Sequence, residues 1–300
     1  MSPEPYEILR MMGIGPAEIV AVDTLSTRHG HLVWRITTPR RSYVLKWLPE
    51  EPARSEVGGY LLLRELGVST LPLYGHTAQA LLLEDLTRSE AWRLATEQDM
   101  DEPRVGRAVA RWYRTFHEAG EAFLARVSSV PTFLTRETDA LDGASILRAA
   151  QVLALSDHPV WDLVMAHVAL LRAATERLSV TLNYNDFYWT NLALSSQRQG
   201  SLEAVVFDYH LLGIGMRYCD CRNVTGSLGK RAAAAFWEVY GPPDPREVVL
   251  DRPLATLFGL VAASRLPDIP RWAEACRQQV LDGRLARDIA AAVEVARALV

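Results

Sequence analysis

Short apolar runs of strand length alternate with polar breaks over the first 90 residues of the chain. The polar triplet Pro39–Arg40–Arg41 separates two such runs, which is typical of a hairpin. Residues 53–66 then predict a helix, and Gly67 is well suited to end it. The four predicted strands are residues 32–37, 42–47, 71–74 and 80–83. This part of the sequence therefore predicts a small antiparallel sheet with one helix.

Beyond residue 90 the apolar residues recur mainly at helical spacing. The exception is a pair of strand-length runs, residues 190–194 and 202–207, separated by a polar segment that ends at Gly200. This pair predicts a second hairpin. The predicted helices are residues 104–126, 144–155, 160–178, 229–240, 254–264, 269–282 and 285–300. The whole pattern indicates an α+β protein with a sheet-rich and a helix-rich part.

A polar segment that follows the strand over residues 80–83 is the natural boundary between the two parts. We expect an N-terminal lobe over residues 1–83 and a hinge over residues 84–88. A mostly helical C-terminal lobe over residues 89–300 should then include the second hairpin, within residues 181–208.

Composition excludes several classes of function. The net charge is −4 and no basic stripe with interleaved aromatic residues is present, so we expect no nucleic-acid partner. The first ten residues lack the apolar core of a signal peptide, and no apolar run is long enough to span a bilayer. We therefore expect a cytoplasmic protein that does not enter a membrane. Cys219, Cys221 and Cys276 are too few for a zinc site and are expected to be free thiols. The oligomeric state stays open.

Three polar residues around the second hairpin carry the strongest chemical signal. Asp186 precedes Asn191 by five positions, and Asp208 follows a short apolar strand. Because a hairpin brings its two ends together, Asn191 and Asp208 should lie at the same end, with Asp186 on the preceding loop. An amide oxygen and a carboxylate can share a hard cation, and a second carboxylate can accept a proton. Turn hydrogen bonds are the alternative for Asp186 and Asn191, but the combination favours a metal–phosphate site.

Lysine is rare in this chain, which otherwise uses arginine. It occurs only at Lys46 and Lys230, and Lys46 lies within an apolar strand. A lysine ammonium is a compact point charge on a flexible stem, which suits a phosphate group.

With these motifs, the chain from about Val22 to Val224 resembles the aminoglycoside phosphotransferase and choline kinase family. These are small-molecule kinases with a bilobal protein-kinase-like fold. The resemblance rests on residues 186–191, residues 205–208 and the segment from Gly213 to Asp220. It implies ATP and Mg²⁺ as cofactors and a small hydroxylated molecule as substrate.

The resemblance also implies roles for individual residues. Asp186 would be the catalytic base, Asn191 and Asp208 the magnesium ligands, and Lys46 the phosphate contact. Glu56 would hold Lys46; Glu65 lies nine residues further on and faces the opposite side of the helix. Further implied site residues are Ser26 and Gly30 in the phosphate loop, Leu83, Glu84 and Leu86 beside adenine, and Asp220 as a brace of the catalytic loop.

Four departures from the family pattern stand out. Tyr184–Asn185 replaces His-Gly before the catalytic Asp, and residues 26–31 hold a single glycine, where protein kinases have a glycine-rich loop. Tyr209–His210 follows Asp208 where protein kinases have Phe-Gly, and Gly58–Gly59 weakens the helix that carries Glu56.

A histidine and an acidic segment allow two interpretations each. We expect His117 to be a core residue, and Glu137, Asp139 and Asp142 to form a solvated loop, with a cationic substrate as the alternative partner of that loop. The leading hypothesis is an ATP- and Mg²⁺-dependent phosphotransferase acting on a small-molecule hydroxyl, such as that of an aminoglycoside-type antibiotic or a metabolite. The alternative is a catalytically degenerate kinase-like protein that binds nucleotide or a protein partner without transferring phosphate.

Overall fold

The computed structural model describes residues 4–27, 31–50, 55–196 and 201–300. The chain forms two compact units. The first unit comprises Met1–Phe133, Tyr184–Leu212 and Asn223–Gly241. The second unit comprises Leu134–Asn183, Gly213–Arg222 and Pro242–Val300.

The main sheet of the first unit is antiparallel and has five strands in the order β1-β2-β3-β5-β4. Two of its strands, β2 and β3, are the predicted hairpin, with Leu32 opposite Trp47. The edge strand β1 was not predicted, because its side chains are partly or fully exposed and give no clear apolar alternation. The strands are β1 (Ala21–Ser26), β2 (Leu32–Thr37), β3 (Ser42–Trp47), β4 (Leu73–Thr77) and β5 (Ala80–Glu84).

Helices α1 (Pro5–Met11) and α2 (Ser55–Glu65) complete this part of the first unit. The predicted helix over residues 53–66 agrees with α2, although its first two residues lie outside the described residues. Ile8 and Leu9 of α1 pack with Trp34, Ile36 and Leu45 of the sheet in a small apolar core.

The predicted second hairpin is present in the first unit as β9 (Leu192–Ser195) and β10 (Ala204–Val206). A short strand that was not predicted, β6 (Trp92–Leu94), pairs with β9 on its other side. The polar turn of the hairpin, residues 197–200, lies outside the described residues. Two long helices, α3 (Pro103–Leu124) and α7 (Lys230–Tyr240), pack so closely that a Cβ on Gly106 would lie 2.0 Å from the carbonyl oxygen of Ala232.

The second unit is mostly helical around an apolar core, with a three-stranded sheet in the order β7-β11-β8. The predicted helix start at residue 254 is wrong, because α8 begins nine residues earlier and runs through Pro253. The strands are β7 (Thr135–Arg136), β8 (Val180–Asn183) and β11 (Gly213–Met216). The helices are α4 (Gly143–Val152), α5 (Val160–Thr175), α8 (Pro245–Ser264), α9 (Arg271–Leu281) and α10 (Arg284–Leu299); α6 (Arg217–Ser227) contributes residues to each unit.

Helices long and apolar enough to cross a bilayer are absent from the described part of the chain. His117 is fully buried on α3, where its Nδ1 lies 2.7 Å from the hydroxyl of Tyr240, so the prediction of a core histidine is confirmed.

Candidate active site

The β9–β10 hairpin places Asn191 and Asp208 at one end, as the sequence predicts. Leu192 pairs with Val206, and the amide nitrogen of Phe207 donates to the carbonyl oxygen of Asn191 at 3.0 Å. Asp186 lies on the preceding loop, where its Oδ2 accepts a hydrogen bond from Nδ2 of Asn191 at 2.7 Å. The amide nitrogen of Asn191 therefore orients Asp186. The amide oxygen of Asn191 is the atom of this side chain that suits a cation.

Lys46 of β3 lies beside this hairpin end. Its Nζ is 2.5 Å from Oε2 of Glu56 and 3.0 Å from Oδ1 of Asp208. Glu56 is 1% exposed on α2, whereas Glu65 on the same helix is exposed. The structure thus contains the predicted Lys46–Glu56 pair and brings it into direct contact with Asp208.

The charges in this cluster hold one another in place. Burial disfavours the charged form of Lys46, but Glu56 and Asp208 together raise the pKa of Lys46 above its ordinary value. Burial acts to raise the pKa of Asp208, yet the hydrogen bond from His210 and the charge of Lys46 hold that pKa well below its usual range. Burial raises the pKa of Asp186, with Asp208 acting in the same direction and His210 opposing it. Asp208 is therefore a carboxylate. The raised pKa of Asp186 makes it the more basic of the two groups.

His210 is a site residue that the sequence analysis treated only as a departure from protein kinases. Its Nδ1 lies 2.8 Å from Oδ1 of Asp208 and donates, because a carboxylate only accepts. Asp208 has φ +70°, and this left-handed turn folds the chain back so that the residue two positions on reaches its carboxylate. Lys46 and His210 thus both contact Oδ1 of Asp208.

Asn185, in place of the family glycine, also has a left-handed backbone, with φ +67°. Asn adopts this conformation more readily than any residue with a bulky or branched side chain. Its Nδ2 also donates to the carbonyl oxygen of Leu211 at 3.1 Å. Asn185 therefore supports a left-handed turn into Asp186, a conformation that glycine also adopts.

We expect Asn185→Gly to be more stable than Asn185→Ala by about 1 kcal/mol. Both variants lose the hydrogen bond to Leu211, but only alanine meets the steric penalty of the left-handed region. Urea unfolding of the two variants measures the difference. Equal stability would contradict a backbone role for Asn185.

Tyr184, in place of the family histidine, is fully buried and connects the loop that carries Asp186 to the segment that carries Asp208. Its hydroxyl donates to the carbonyl oxygen of Phe207, the residue just before Asp208. Its ring packs edge-on against Trp112 and Tyr209. Tyr184 therefore has a structural role: its ring packs in the core and its hydroxyl binds the backbone next to Asp208.

Two residues of α6 hold the loop that carries Asp186, and neither was found from the sequence. Nδ2 of Asn223 donates to the carbonyl oxygen of Asn185 at 3.1 Å, and Oγ of Ser227 donates to that of Phe187 at 3.1 Å. These contacts hold the backbone on both sides of Asp186. Asp220, on the same helix, is fully buried, and its bracing role stays a prediction.

The two glycines of α2 serve close packing. A Cβ on Gly59 would lie 2.9 Å from the Cβ of Tyr209, and one on Gly58 would lie 2.8 Å from the ring of Phe133. Oγ of Ser55 also donates to the carbonyl oxygen of His210 at 3.0 Å. The helix that carries Glu56 is thus docked directly on the segment that carries Asp208.

We expect Gly59→Ala to lower the free energy of unfolding by about 1–3 kcal/mol, because the added methyl group meets Tyr209 and overpacks a tight contact. Gly226→Ala is the matched control, since a Cβ there meets nothing within 4 Å. It should be neutral or stabilising by up to about 1 kcal/mol through helix propensity. Urea unfolding measures both, and similar effects of the two variants would rule out the packing role.

The remaining predicted residues lie along β5, the segment after it, and β1. Leu83 is buried and Glu84 accepts a hydrogen bond from the hydroxyl of Tyr74 at 2.5 Å, while Leu86 is partly exposed. Ser26 is the last residue of β1, and Gly30 lies outside the described residues. Contacts of these residues with a nucleotide stay predictions.

Asp85, between Glu84 and Leu86, is a structural residue that the sequence analysis passed over. It is 2% exposed and accepts hydrogen bonds from Nε of Arg35 at 2.8 Å, from Oγ of Ser42 at 2.7 Å, and from Thr87. Although burial opposes it, these donors lower the pKa of Asp85. The carboxylate fixes this segment to β2 and β3.

The donor set fits a magnesium ion shared with a phosphate. Oδ1 of Asp208 receives Lys46 and His210, so Oδ2 is the oxygen available to a cation, together with the amide oxygen of Asn191. In the described part of the chain, no group of three or more His, Cys, Asp or Glu side chains could hold a metal. Mg²⁺ suits such a sparse oxygen site, because it keeps waters and takes substrate phosphates as ligands.

Among comparisons with known proteins, only those with solved structures identify the fold. No family model matches the sequence, and no curated protein matches it.

Solved structures do match. A choline/ethanolamine kinase family protein from Mesorhizobium loti superposes with a TM-score of 0.60 at 15% identity, over 93% of this chain and 94% of that one. A choline kinase from Streptococcus pneumoniae gives 0.56 at 14% identity, over 90% and 94%. An AMP-bound spectinomycin phosphotransferase gives 0.51 at 11% identity, over 98% and 97%. The chain therefore has the α+β, protein-kinase-like fold shared by choline kinases and antibiotic phosphotransferases.

Proposed function

We propose that this protein is a phosphotransferase that moves the γ-phosphoryl group of ATP, with Mg²⁺, to a hydroxyl of a small molecule. One observation carries the proposal. Lys46, held by Glu56, contacts Asp208 at 3.0 Å, at the hairpin end where Asn191 is bonded to Asp186. A scaffold without phosphoryl transfer has no need of this combination of ammonium, carboxylates and amide.

Each side chain has a distinct task in the proposed reaction. Lys46 offsets the charge of the α- and β-phosphates, and Glu56 keeps its ammonium aimed at them. Asn191 and Asp208 would hold Mg²⁺, which supplies positive charge to the β- and γ-phosphate oxygens. Asp186 orients the acceptor hydroxyl and accepts its proton. The bond between the γ-phosphorus and the bridging oxygen breaks, a new bond to the acceptor oxygen forms, and ADP leaves.

Rate enhancement in this scheme comes from positioning and electrostatics. Asn191 holds Asp186 at 2.7 Å, and Asn223 and Ser227 hold the backbone on either side of it. The catalytic carboxylate is thus oriented by the protein itself.

The proposal also covers the acceptor molecule, the hinge and the cellular location. The similar structures include, by name, a choline kinase and a spectinomycin phosphotransferase, the latter with AMP bound. These names support nucleotide binding and a small hydroxylated acceptor, either an aminoglycoside-type antibiotic or a metabolite. We also propose a hinge over residues 84–88 between lobes and a cytoplasmic location.

The test is ADP release by the purified protein across a panel of hydroxylated metabolites and antibiotics, with and without Mg²⁺. We expect acceptor-dependent ADP release that requires Mg²⁺, together with a mass gain of one phosphoryl group on the acceptor. ATP–Mg²⁺ that raises the melting temperature without transfer to any acceptor would favour the catalytically degenerate alternative.

A further inference from the structure

His210 is anchored beside Asp208 by three contacts. Tyr209, the residue between them, is fully buried, and its hydroxyl donates to the carbonyl oxygen of Val206. The carbonyl oxygen of His210 accepts from Oγ of Ser55, the first residue of α2, at 3.0 Å. Nδ1 of His210 donates to Oδ1 of Asp208 at 2.8 Å. The protein therefore holds the imidazole against this carboxylate, although the side chain is 31% exposed.

Lys46 is the second donor to Asp208, and the proposed reaction requires its ammonium elsewhere. An ammonium has three N–H groups. Glu56 takes one, with Nζ and Oε2 2.5 Å apart, and Asp208 takes another at 3.0 Å. Contacts with both the α- and β-phosphates need two. Because Glu56 is 1% exposed and is costly to leave without its counter-charge, the longer contact, to Asp208, is the one released when nucleotide binds.

Release of Lys46 leaves His210 as the donor that stays on Asp208. Among the residues that the structure describes, Lys46 and His210 are the donors to this carboxylate. A carboxylate that holds a metal ion with one oxygen can rotate about its Cβ–Cγ bond unless a donor fixes the other oxygen. The bond from His210 fixes Oδ1 and thus directs Oδ2 towards the cation. It requires a proton on Nδ1, which both a neutral and a charged imidazole can carry.

We propose that His210 is a positioning residue of the magnesium site, which keeps Asp208 oriented after Lys46 has turned to the phosphates. The inference rests on the proposed function and adds to it a residue and an exchange of contacts. Outer partners of a metal-binding carboxylate typically contribute about 10–100-fold in metal affinity or activity. Direct ligation by the imidazole is the less suitable role, because Mg²⁺ takes oxygen ligands.

The test is calorimetric titration of wild type, His210→Leu and His210→Asn with a non-hydrolysable ATP analogue, with and without Mg²⁺. Leucine fills the place of the ring without a donor, whereas the amide nitrogen of asparagine corresponds in position to Nδ1. We expect His210→Leu to bind the Mg²⁺–analogue complex about tenfold or more weakly than the wild type. His210→Asn should retain most of the Mg²⁺ effect. Without Mg²⁺ all three proteins should bind the analogue alike, which a merely structural role would not predict.

His76→Leu is the matched control, since His76 is exposed on β4, and it should behave as the wild type. Equal Mg²⁺ effects in wild type and His210→Leu would overturn the role of His210 and leave the proposed function standing. A wild type without any Mg²⁺ effect would overturn both. Loss of the effect in His210→Asn as well would show that the ring does not act through its Nδ1–H bond.

One measurement needs no variant. Long-range ¹H–¹⁵N NMR spectra of the wild type report which ring nitrogen of a histidine carries the proton. We expect the proton of His210 on Nδ1, both in the free protein and with Mg²⁺ and the analogue bound. A ring protonated only on Nε2 in the bound state would overturn the proposal, because it could not donate to Asp208.

Discussion

Replacing Asp186 by Asn is expected to reduce acceptor-dependent phosphoryl transfer by about 10²–10⁴-fold, the usual contribution of a general base. The amide keeps nearly the shape of the carboxylate and an oxygen that Asn191 can still reach, so the loop should hold its place. It lacks the negative charge that accepts the hydroxyl proton. The measurement is turnover of ATP with the acceptor found in the panel.

Two controls make this result specific. Asp23→Asn changes an exposed acid on β1 and should keep full turnover. Asp186→Asn itself should keep the wild-type rise in melting temperature with ATP–Mg²⁺, because Asp208, Asn191 and Lys46 are intact. Turnover by Asp186→Asn equal to the wild type would remove this carboxylate from the mechanism.

Lys46→Met should affect both stability and activity strongly. It leaves Glu56, which is 1% exposed, without its counter-charge, and breaking one side of a buried pair costs about 3–5 kcal/mol. The double variant Lys46→Met, Glu56→Gln removes both charges and should recover most of that loss. Both variants should lose transfer activity by about 10²-fold or more, because the phosphate charge is no longer offset.

Urea unfolding without nucleotide measures the stability part. Lys230→Met is the matched control, since Lys230 is exposed and is the other lysine of the chain; its effect should stay within about 0.5 kcal/mol. Equal stability of the single and double variants would show that the Lys46–Glu56 pair does not hold α2 in place.

The sequence was sufficient for those features that local periodicity determines. The second hairpin follows from two apolar runs with a polar turn, and it fixes the relation of Asn191 to Asp208. The choice of Glu56 over Glu65 follows from helical phase alone, and the structure has the predicted pair. The strands β1 and β6 were missed because neither shows a clear apolar alternation.

Local patterns could not predict contacts between residues far apart in sequence. Asn223 and Ser227 brace a loop some 40 residues away, and their polar side chains on a helix look like ordinary surface residues. Asp85 likewise accepts donors from two other strands. Glu137 was expected on a solvated loop with Asp139 and Asp142. In the structure it is partly buried and, of these three residues, it alone lines a cavity next to β8, β11 and α8.

The departures from the family motif are explained by the structure at two positions. Asn185 takes the left-handed turn that glycine would take, and Tyr184 reaches the carbonyl oxygen before Asp208. Both side chains support the backbone around Asp186 and Asp208. They therefore give no reason to expect an inactive site.

The central claim is that Lys46, Asn191 and Asp208 form one site for a nucleotide and its magnesium ion. The most direct test is calorimetric titration with a non-hydrolysable ATP analogue, with and without Mg²⁺, on the wild type and Asp208→Asn. We expect Mg²⁺ to tighten binding to the wild type by about tenfold or more, and to have no such effect on Asp208→Asn. Equal affinity with and without Mg²⁺ in the wild type, or an unchanged Mg²⁺ effect in Asp208→Asn, would contradict the account.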